Sequence, residues 1–131
     1  MTTERLQEIF DITLNHLREQ GCASFVTTMR GTEEFTSCMY RGPEGRKCAA
    51  GIHISDTKYT AGMEGKSFFT VNNEMLKSEF EIEDMRLISA LQEAHDDSLA
   101  GGDIKTWERA MKGIAKHKKL TYTPEHTRDE A

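Results

Sequence analysis

Apolar residues repeat at helical spacing near both ends of this chain, and this feature restricts the possible folds most strongly. Near the start, the repeat consists of Leu6, Ile9, Phe10, Thr13 and Leu17. This spacing predicts an amphipathic helix from Thr3 to Gln20, which Gly21 ends. A second repeat predicts a helix from Ile82 to Asp96, and a third predicts a last helix that Asp103 caps. We therefore expect three main helices.

The segment after the first helix has a different character, because β-branched and aromatic residues alternate there with glycine and proline. We expect three strands, covering Ser24 to Arg30, Phe35 to Arg41 and Arg46 to Ile54. The third segment also suits a short helix, since several of its residues are small and apolar. The prediction is an α+β fold in which a small antiparallel sheet or hairpin packs against the three main helices.

Two stretches before the second main helix have no sustained period. Ser55 to Lys66 contains glycines and capping residues and is predicted to be an ordered loop. Asn72 or Asn73 is expected to cap a short helix that reaches Phe80.

The length of 131 residues is typical of one domain. We predict a single globular domain over residues 1–120 and a flexible tail over residues 121–131, where polar residues and Pro124 replace the apolar pattern. No run of about 20 apolar residues predicts a membrane span, and the first residues do not resemble a signal peptide. The three cysteines are an odd number without close pairs, which favours reduced thiols in a cytoplasm.

The charge balance argues against a nucleic-acid partner. Seventeen Lys and Arg residues face twenty-two Asp and Glu residues, so the net charge is −5, and phosphate attraction is opposed. A lysine cluster near Trp107 resembles a minor nucleic-acid face and consists of Lys112, Lys116, Lys118 and Lys119. However, the apolar period assigns Trp107 to the buried side of the last helix.

Three cations flank the turn Gly42-Pro43-Glu44-Gly45. Arg41, Arg46 and Lys47 can grip a phosphate or carboxylate, because guanidinium groups bind such groups through paired hydrogen bonds. The alternative is a solvated hairpin in which an arginine pairs with Glu44 or Glu64. Both interpretations remain open at the level of sequence.

Cysteine and histidine residues suggest two further kinds of site. Cys38 and Cys48 lie on either side of the same turn, and pairing across it places their Cβ atoms about 4.5–8 Å apart. With His53 and His95 they offer four zinc ligands, although their spacing matches no common zinc motif. A thiol enzyme would use Cys48 or Cys38 as nucleophile and His95 as base. Adjacent helical residues point about 100° apart, so Asp96 is not expected to face the same site as His95.

The central block resembles a widespread group of small bacteriophage and prophage proteins. It reads Cys38-x-Tyr40-Arg41-Gly42-Pro43-x-Gly45-x-Lys47-Cys48-Ala49-x-Gly51, and is followed by Asp56, Tyr59 and Met63-Glu64-Gly65. Leu91-Gln92-x-x-His95-Asp96 and Trp107 are similar to the same group, which extends the likeness from about Leu6 to Trp107. The chain departs from that group at His53-Ile54-Ser55-Asp56, where its members tend to read Leu-Ile-Pro-Asp. The resemblance implies a phage or prophage origin and no particular activity.

The leading hypothesis is a phage-encoded accessory protein that binds and modulates a host macromolecule, most simply a protein. The expected contact surface combines the Arg41 to Lys47 hairpin with the Ser55 to Gly65 loop. Its residues are Arg41, Arg46, Lys47, Asp56, Tyr59 and Glu64. The alternatives are a protein that binds a nucleotide or another small phosphorylated molecule, and a metal-dependent or thiol enzyme. Catalysis is not the favoured prediction, no cofactor is predicted, and the oligomeric state is left open.

Overall fold

The structure, a computed structural model, describes residues 3–99 and 103–124 of the chain. Within these residues there are four α-helices: α1 (Thr3–Gln20), α2 (Phe68–Thr70), α3 (Ile82–Ala94) and α4 (Ile104–Lys118). Two short strands, β1 (Phe25–Arg30) and β2 (Glu33–Cys38), form an antiparallel hairpin. Turns of π-helix extend α2 through Val71–Met75 and α3 through His95–Leu99.

The predicted α+β fold is wrong, because the structure is mostly helical and its strands do not form a sheet that the helices cover. The core lies between helices: α1 packs on α3, and α3 packs on α4. Each helix contributes the stripe that its period predicts, for example Phe10 and Leu14 from α1 and Trp107 and Met111 from α4. Because Trp107 is fully buried, it cannot stack on a nucleic-acid base.

The predicted third strand, Arg46 to Ile54, is a series of turns. Its backbone groups bond to one another within the turns and, at Lys47 and Ala50, to glutamine side chains, and not to a neighbouring strand. The Lys47 amide donates to Gln20 Oε1 (2.8 Å), and Gln20 Nε2 donates to the Lys47 carbonyl (3.0 Å). The next residues coil through a 3₁₀ turn at Gly51–His53. The pattern of small apolar residues therefore reflects close packing of turns, not a strand.

The short helix predicted to start at Asn72 or Asn73 begins earlier than expected. Ser67 caps α2, accepting from the Thr70 amide at 3.2 Å. Asn72 is buried and has another role: its side chain accepts from the Phe80 amide (2.9 Å) and donates to the Phe80 carbonyl (3.0 Å). This paired contact closes the loop that leads to α3.

Both long C-terminal helices begin at a capping residue, of which only Asp103 was predicted from the sequence. Glu81 and Asp84 form a capping box at the start of α3, and Asp103 caps α4 by accepting from the Thr106 amide at 3.0 Å. The hydrogen bonds from Thr106 lower the pKa of Asp103. These caps fix where α3 and α4 start, and α3 carries most of the candidate site.

The first residues of the predicted tail are held against the helices. The Thr121 amide donates to Gln7 Oε1 (2.8 Å), and the Tyr122 hydroxyl donates to Glu108 Oε1 (2.6 Å). Arg18 lies over the Tyr122 ring and forms a bidentate ion pair with Glu108, at 2.7 and 2.8 Å. Residues 125–131, which complete that tail, lie outside the described part of the chain.

Candidate functional site

A cleft of about 510 Å³ opens between α3 and the segment that leads into α2. Its apolar wall comprises Tyr40, Phe68, Phe69 and Ile88. Phe69 is 40% exposed, so part of its ring faces solvent at the cleft. The volume falls within the range of pockets that bind small ligands or partner side chains, roughly 300–1,000 Å³.

Three exposed carboxylates edge this cleft. Glu93 comes from α3, and Asp96 and Asp97 come from the π-helical turn that extends it. Lys66 is the basic residue among those that line the cleft in the described part of the chain. The cleft therefore combines an apolar wall with a predominantly negative rim.

Gln92 joins the two segments that carry the cysteines. Its Oε1 accepts from the Ala50 amide (2.9 Å), two residues beyond Cys48, and its Nε2 donates to Cys38 Sγ (3.0 Å). The second Nε2 hydrogen is directed to Asp96 Oδ1 (2.8 Å), one helical turn further on. One side-chain amide on α3 thus orients a thiol, a turn and a carboxylate.

His95 is fully buried, and its hydrogen bonds define its tautomer. Nε2 accepts from the Ser24 amide at 3.1 Å, so this nitrogen must carry a lone pair. A neutral ring then has its proton on Nδ1, which donates to Asp96 Oδ1 at 2.9 Å. The Phe25 ring packs edge-on against the imidazole, with 5.7 Å between centroids, and helps to hold its plane.

The Cys38 and Cys48 thiols are in hydrogen-bond contact with each other. Cys38 is half-buried and lines the cleft, whereas Cys48 is fully buried behind it. The hydrogen bond from Cys38 lowers the pKa of Cys48, and the Gly51 amide, which donates to Cys48 Sγ at 3.3 Å, acts in the same direction. The same contact, together with burial, raises the pKa of Cys38. The two thiols therefore titrate as a pair.

A close backbone approach brings the two cysteine segments together. Gly51 packs directly on Tyr40, and a Cβ atom added to Gly51 would lie 2.4 Å from the Tyr40 carbonyl oxygen. Because backbone atoms cannot move aside as a flexible side chain can, only glycine is compatible with this contact. Gly51 thus allows the turn after Cys48 to lie against the chain that follows Cys38.

The His95 tautomer bears on both the zinc and the thiol-enzyme hypotheses. Cys38, His95 and Asp96 place one ligand atom each within 4.8 Å of one another. A metal bound at Nδ1 would move the ring proton to Nε2, where it would face the Ser24 amide hydrogen. A protonated Nδ1 likewise has no lone pair with which to accept a proton from Cys38. Both roles require His95 to change its hydrogen bonds.

The remaining predicted zinc ligand, His53, lies in a separate environment. Its Nε2 is 2.8 Å from Thr13 Oγ1, and since that hydroxyl donates to the Ile9 carbonyl, Nε2 is the donor to Thr13. Burial, reinforced by the positive charge of Arg5, lowers the pKa of His53 to about 4. His53 is thus a neutral histidine within the fold, and the Cys38, His95 and Asp96 group does not include it.

Arg41 directs its guanidinium group into the protein. It donates to the carbonyls of Gly51 (2.7 Å) and Ile54 (2.6 Å) and to Asp56 Oδ1 (2.9 Å), and its side chain is 17% exposed. It also lies over the Tyr59 ring, 4.8 Å from the centroid. Arg41 therefore ties the loop from Gly51 to Tyr59 to the end of the hairpin.

Glu64 completes the same network from the other side. Its carboxylate accepts from the amides of Tyr40 (2.9 Å) and Arg41 (3.0 Å) and from the Tyr59 hydroxyl (2.6 Å). Burial and the bond to Glu64 raise the pKa of Tyr59 to about 12. The sequence alternative pairs an arginine with Glu44 or Glu64. The pair that forms is Arg46 with Glu44, whereas Glu64 contacts Arg41 through its backbone amide.

The other predicted contact residues lie nearer to solvent. Arg46 donates to Glu44 at 3.1 Å, and the Lys47 Nζ lies 3.5 Å from Asp56 Oδ1. Lys47 and Arg41 together lower the pKa of the exposed Asp56. The cations around the Pro43–Gly45 turn are thus brought together by the fold, and each already faces a carboxylate.

Gln92 has no role of its own in the predictions from the sequence. Those predictions also expect the Asp96 side chain not to face the same site as His95. The Asp96 expectation is wrong because the helix widens into a π-turn at His95–Leu99 and the two side chains meet. Spacing offered one signal: Gln92, His95 and Asp96 stand at i, i+3 and i+4, which places polar groups on neighbouring positions of a helix. Contacts between distant segments, such as Gln92 with Cys38, have no local signal.

Comparison of the chain with protein-family models, with curated proteins and with solved structures finds no match in any of the three. In the described part of the chain, no helix combines the length and the apolar character needed to cross a membrane. The structure and its site therefore define the class to which the protein can be assigned: a small helical protein with an acidic-rimmed cleft and two interacting thiols, one at the cleft and one buried behind it.

Proposed function

We propose that the protein is a binding module that docks on another protein by receiving a positively charged, partly apolar segment in its cleft. The observation that carries this proposal is the chemistry of the cleft, in which exposed Phe69 lies near the carboxylates of Glu93, Asp96 and Asp97. A lysine or arginine flanked by an apolar or aromatic side chain would satisfy both surfaces. The resemblance to phage proteins supports a host protein as the partner.

The availability of charged groups favours the cleft as the binding site over the basic turn that the sequence predicts. Arg41 donates to backbone carbonyls within the protein, and Arg46 and Lys47 face Glu44 and Asp56. A phosphate or carboxylate arriving at this turn would compete with contacts that already exist. In the cleft, by contrast, Glu93 and Asp97 have no ion pair within the described residues, and their charge is available to a cationic partner.

The apolar wall explains why affinity need not depend on charge alone. Exposed carboxylates mainly accelerate encounter and select the sign of the partner, whereas desolvated aromatic contacts supply most of the binding energy at interfaces. Phe69 can provide such contacts, and the buried side chains of Phe68 and Ile88 support the apolar wall behind it. A basic segment without an apolar residue should therefore bind weakly and lose its affinity as salt rises.

Selection from a random peptide library tests this proposal, because such a library samples many combinations of charge and apolar character at once. We expect the wild-type protein to enrich peptides in which Lys or Arg adjoins an apolar or aromatic residue. The variant E93K/D97K should lose this enrichment, whereas E33K/E34K, which changes the net charge equally on the hairpin, should retain it. Enrichment of acidic peptides, or equal loss in both variants, contradicts the proposal.

A further inference from the structure

The structure assigns a second property to the cleft: we propose that Cys38 and Cys48 form a reversible thiol–disulfide site that reacts with small disulfides entering through the cleft. This inference does not depend on the proposed docking function. It rests on the contact between the two thiols, on their unequal exposure and on the Gln92 bridge.

The two sulfur atoms differ in access, and this difference defines their roles. Cys38 lines the cleft and is half-buried, so a small disulfide can reach it. Cys48 is fully buried and touches Cys38, so it can reach only a sulfur that is bonded at Cys38. Cys38 is therefore the attacking thiol and Cys48 the resolving thiol.

The surroundings stabilise one negative charge on the pair. Cys48 Sγ accepts from the Gly51 amide at 3.3 Å, and Cys38 Sγ accepts from Gln92 Nε2 at 3.0 Å. Each sulfur thus has its own donor, and the single remaining proton lies between them. Transfer of that proton from Cys38 to Cys48 leaves the charge on Cys38, where the Gln92 amide stabilises it. The amide groups of Gly51 and Gln92 supply this stabilisation as hydrogen-bond donors. The His95 ring is neutral, because its Nε2 accepts a hydrogen bond, and it contributes no positive charge.

The reaction balances with a low-molecular-weight disulfide as the oxidant. The Cys38 thiolate attacks one sulfur of the disulfide, a mixed disulfide forms at Cys38, and one small thiolate leaves. Cys48 then gives up its proton to that thiolate and attacks Cys38 Sγ, and the second small thiolate leaves. The two protein thiols are oxidised to one disulfide, and the small disulfide is reduced to one thiol and one thiolate.

The third cysteine of the chain offers an internal control. Cys22 is partly exposed, and its thiol donates to the Gln20 carbonyl at 3.6 Å, without a thiol partner. A cysteine of this kind should react as an ordinary thiol. Cys22 can therefore form a mixed disulfide with a small disulfide, but it cannot pass on to an intramolecular disulfide as Cys38 can.

Mass spectrometry of the full chain treated with cystamine, a small dicationic disulfide that suits the negative rim of the cleft, tests the proposal. The wild-type protein should lose the mass of two hydrogen atoms, and its peptide map should show a Cys38–Cys48 link that leaves out Cys22. The variant C48S should stop at a stable cysteamine adduct on Cys38, and C38S should react at Cys22 alone. C22S should behave as the wild type, and dithiothreitol should reverse the change.

Several results would overturn the assignment. These are a cysteamine adduct on Cys22 alone, equal reaction rates at all three cysteines, or a wild-type product without the Cys38–Cys48 link. The peptide map of the wild-type protein does not require any variant to fold, so it decides the question even if C48S or C38S is unstable. Since no peptide or partner protein is present, the outcome is independent of the docking proposal.

Discussion

Replacing Arg41 with alanine is expected to destabilise the protein strongly, although a basic residue beside a turn would ordinarily be treated as a surface residue. The change removes two charge-assisted hydrogen bonds to the carbonyls of Gly51 and Ile54, at 2.7 and 2.6 Å. It also removes the guanidinium from the Tyr59 ring. The loop that these contacts hold in place carries the turn after Cys48, so the damage should extend to the thiol pair.

The contacts of Arg41 set the expected magnitude. Hydrogen bonds that involve a charged group contribute about 1.5–3 kcal/mol each, and a cation–π contact adds roughly 0.5–1 kcal/mol. Because the side chain is 17% exposed, water can reach part of the vacated space, and we take the lower end of the sum, about 3.5 kcal/mol. For a domain of this size, such a loss lowers the Tm by roughly 10 °C.

Thermal and urea unfolding of R41A and R46A, followed by circular dichroism, measure this difference. Arg46 provides a matched control, since it belongs to the same turn and donates to Glu44, which is 77% exposed. Exposed ion pairs contribute about 0–1 kcal/mol, so R46A should lie close to the wild type. Equal losses in the two variants, or a negligible loss in R41A, would refute the structural role derived for Arg41.

Two further predictions concern single positions in the fold. The change G51A should destabilise the protein severely, because its Cβ would meet the Tyr40 backbone at 2.4 Å, whereas G62A, whose nearest neighbours are 3.8 Å away, should be tolerated; urea midpoints compare the two. His53 should make stability fall with acidification, because its pKa is about 4 in the folded state and 6.5 in the unfolded chain. Between these values only the unfolded state binds the proton, so stability is lost as the pH drops from about 6.5 to 4, by up to about 3 kcal/mol. H53Q should flatten this part of the profile, and an unchanged slope would contradict a half-buried His53 that stays neutral in the folded state.

The sequence was informative wherever a local period determined the structure. The apolar stripe of α1 and the Asp103 cap of α4 are local features, and the structure has both where the pattern indicated them. The predicted strand from Arg46 to Ile54 is wrong because the segment coils into turns and its Lys47 backbone bonds to Gln20, a residue distant in sequence. No local pattern shows that a distant glutamine side chain will form the backbone hydrogen bonds that a neighbouring strand would otherwise form.

The candidate site was predictable to the same limited degree. The sequence singled out Cys38, Cys48 and His95, which the fold brings together with Gln92 and Asp96. It could not give the direction in which Arg41 points, because this depends on the carbonyls of a distant loop. Nor could it locate the acidic cleft, since Phe69 and Glu93 come from separate helical segments whose proximity depends on tertiary packing.

The central claim, that the cleft selects a cation beside an apolar group, is tested most directly by an NMR titration with a matched charge series. Phenethylammonium, phenethyl alcohol and phenylpropionate carry the same ring with positive, neutral and negative polar groups. We predict that the cation shifts the backbone amide signals of residues 65–69 and 88–97, with a dissociation constant on the order of millimolar for so small a probe. The anion should leave these signals unchanged. Stronger binding of the anion at these residues, or cation-induced shifts confined to other parts of the protein, would contradict the account.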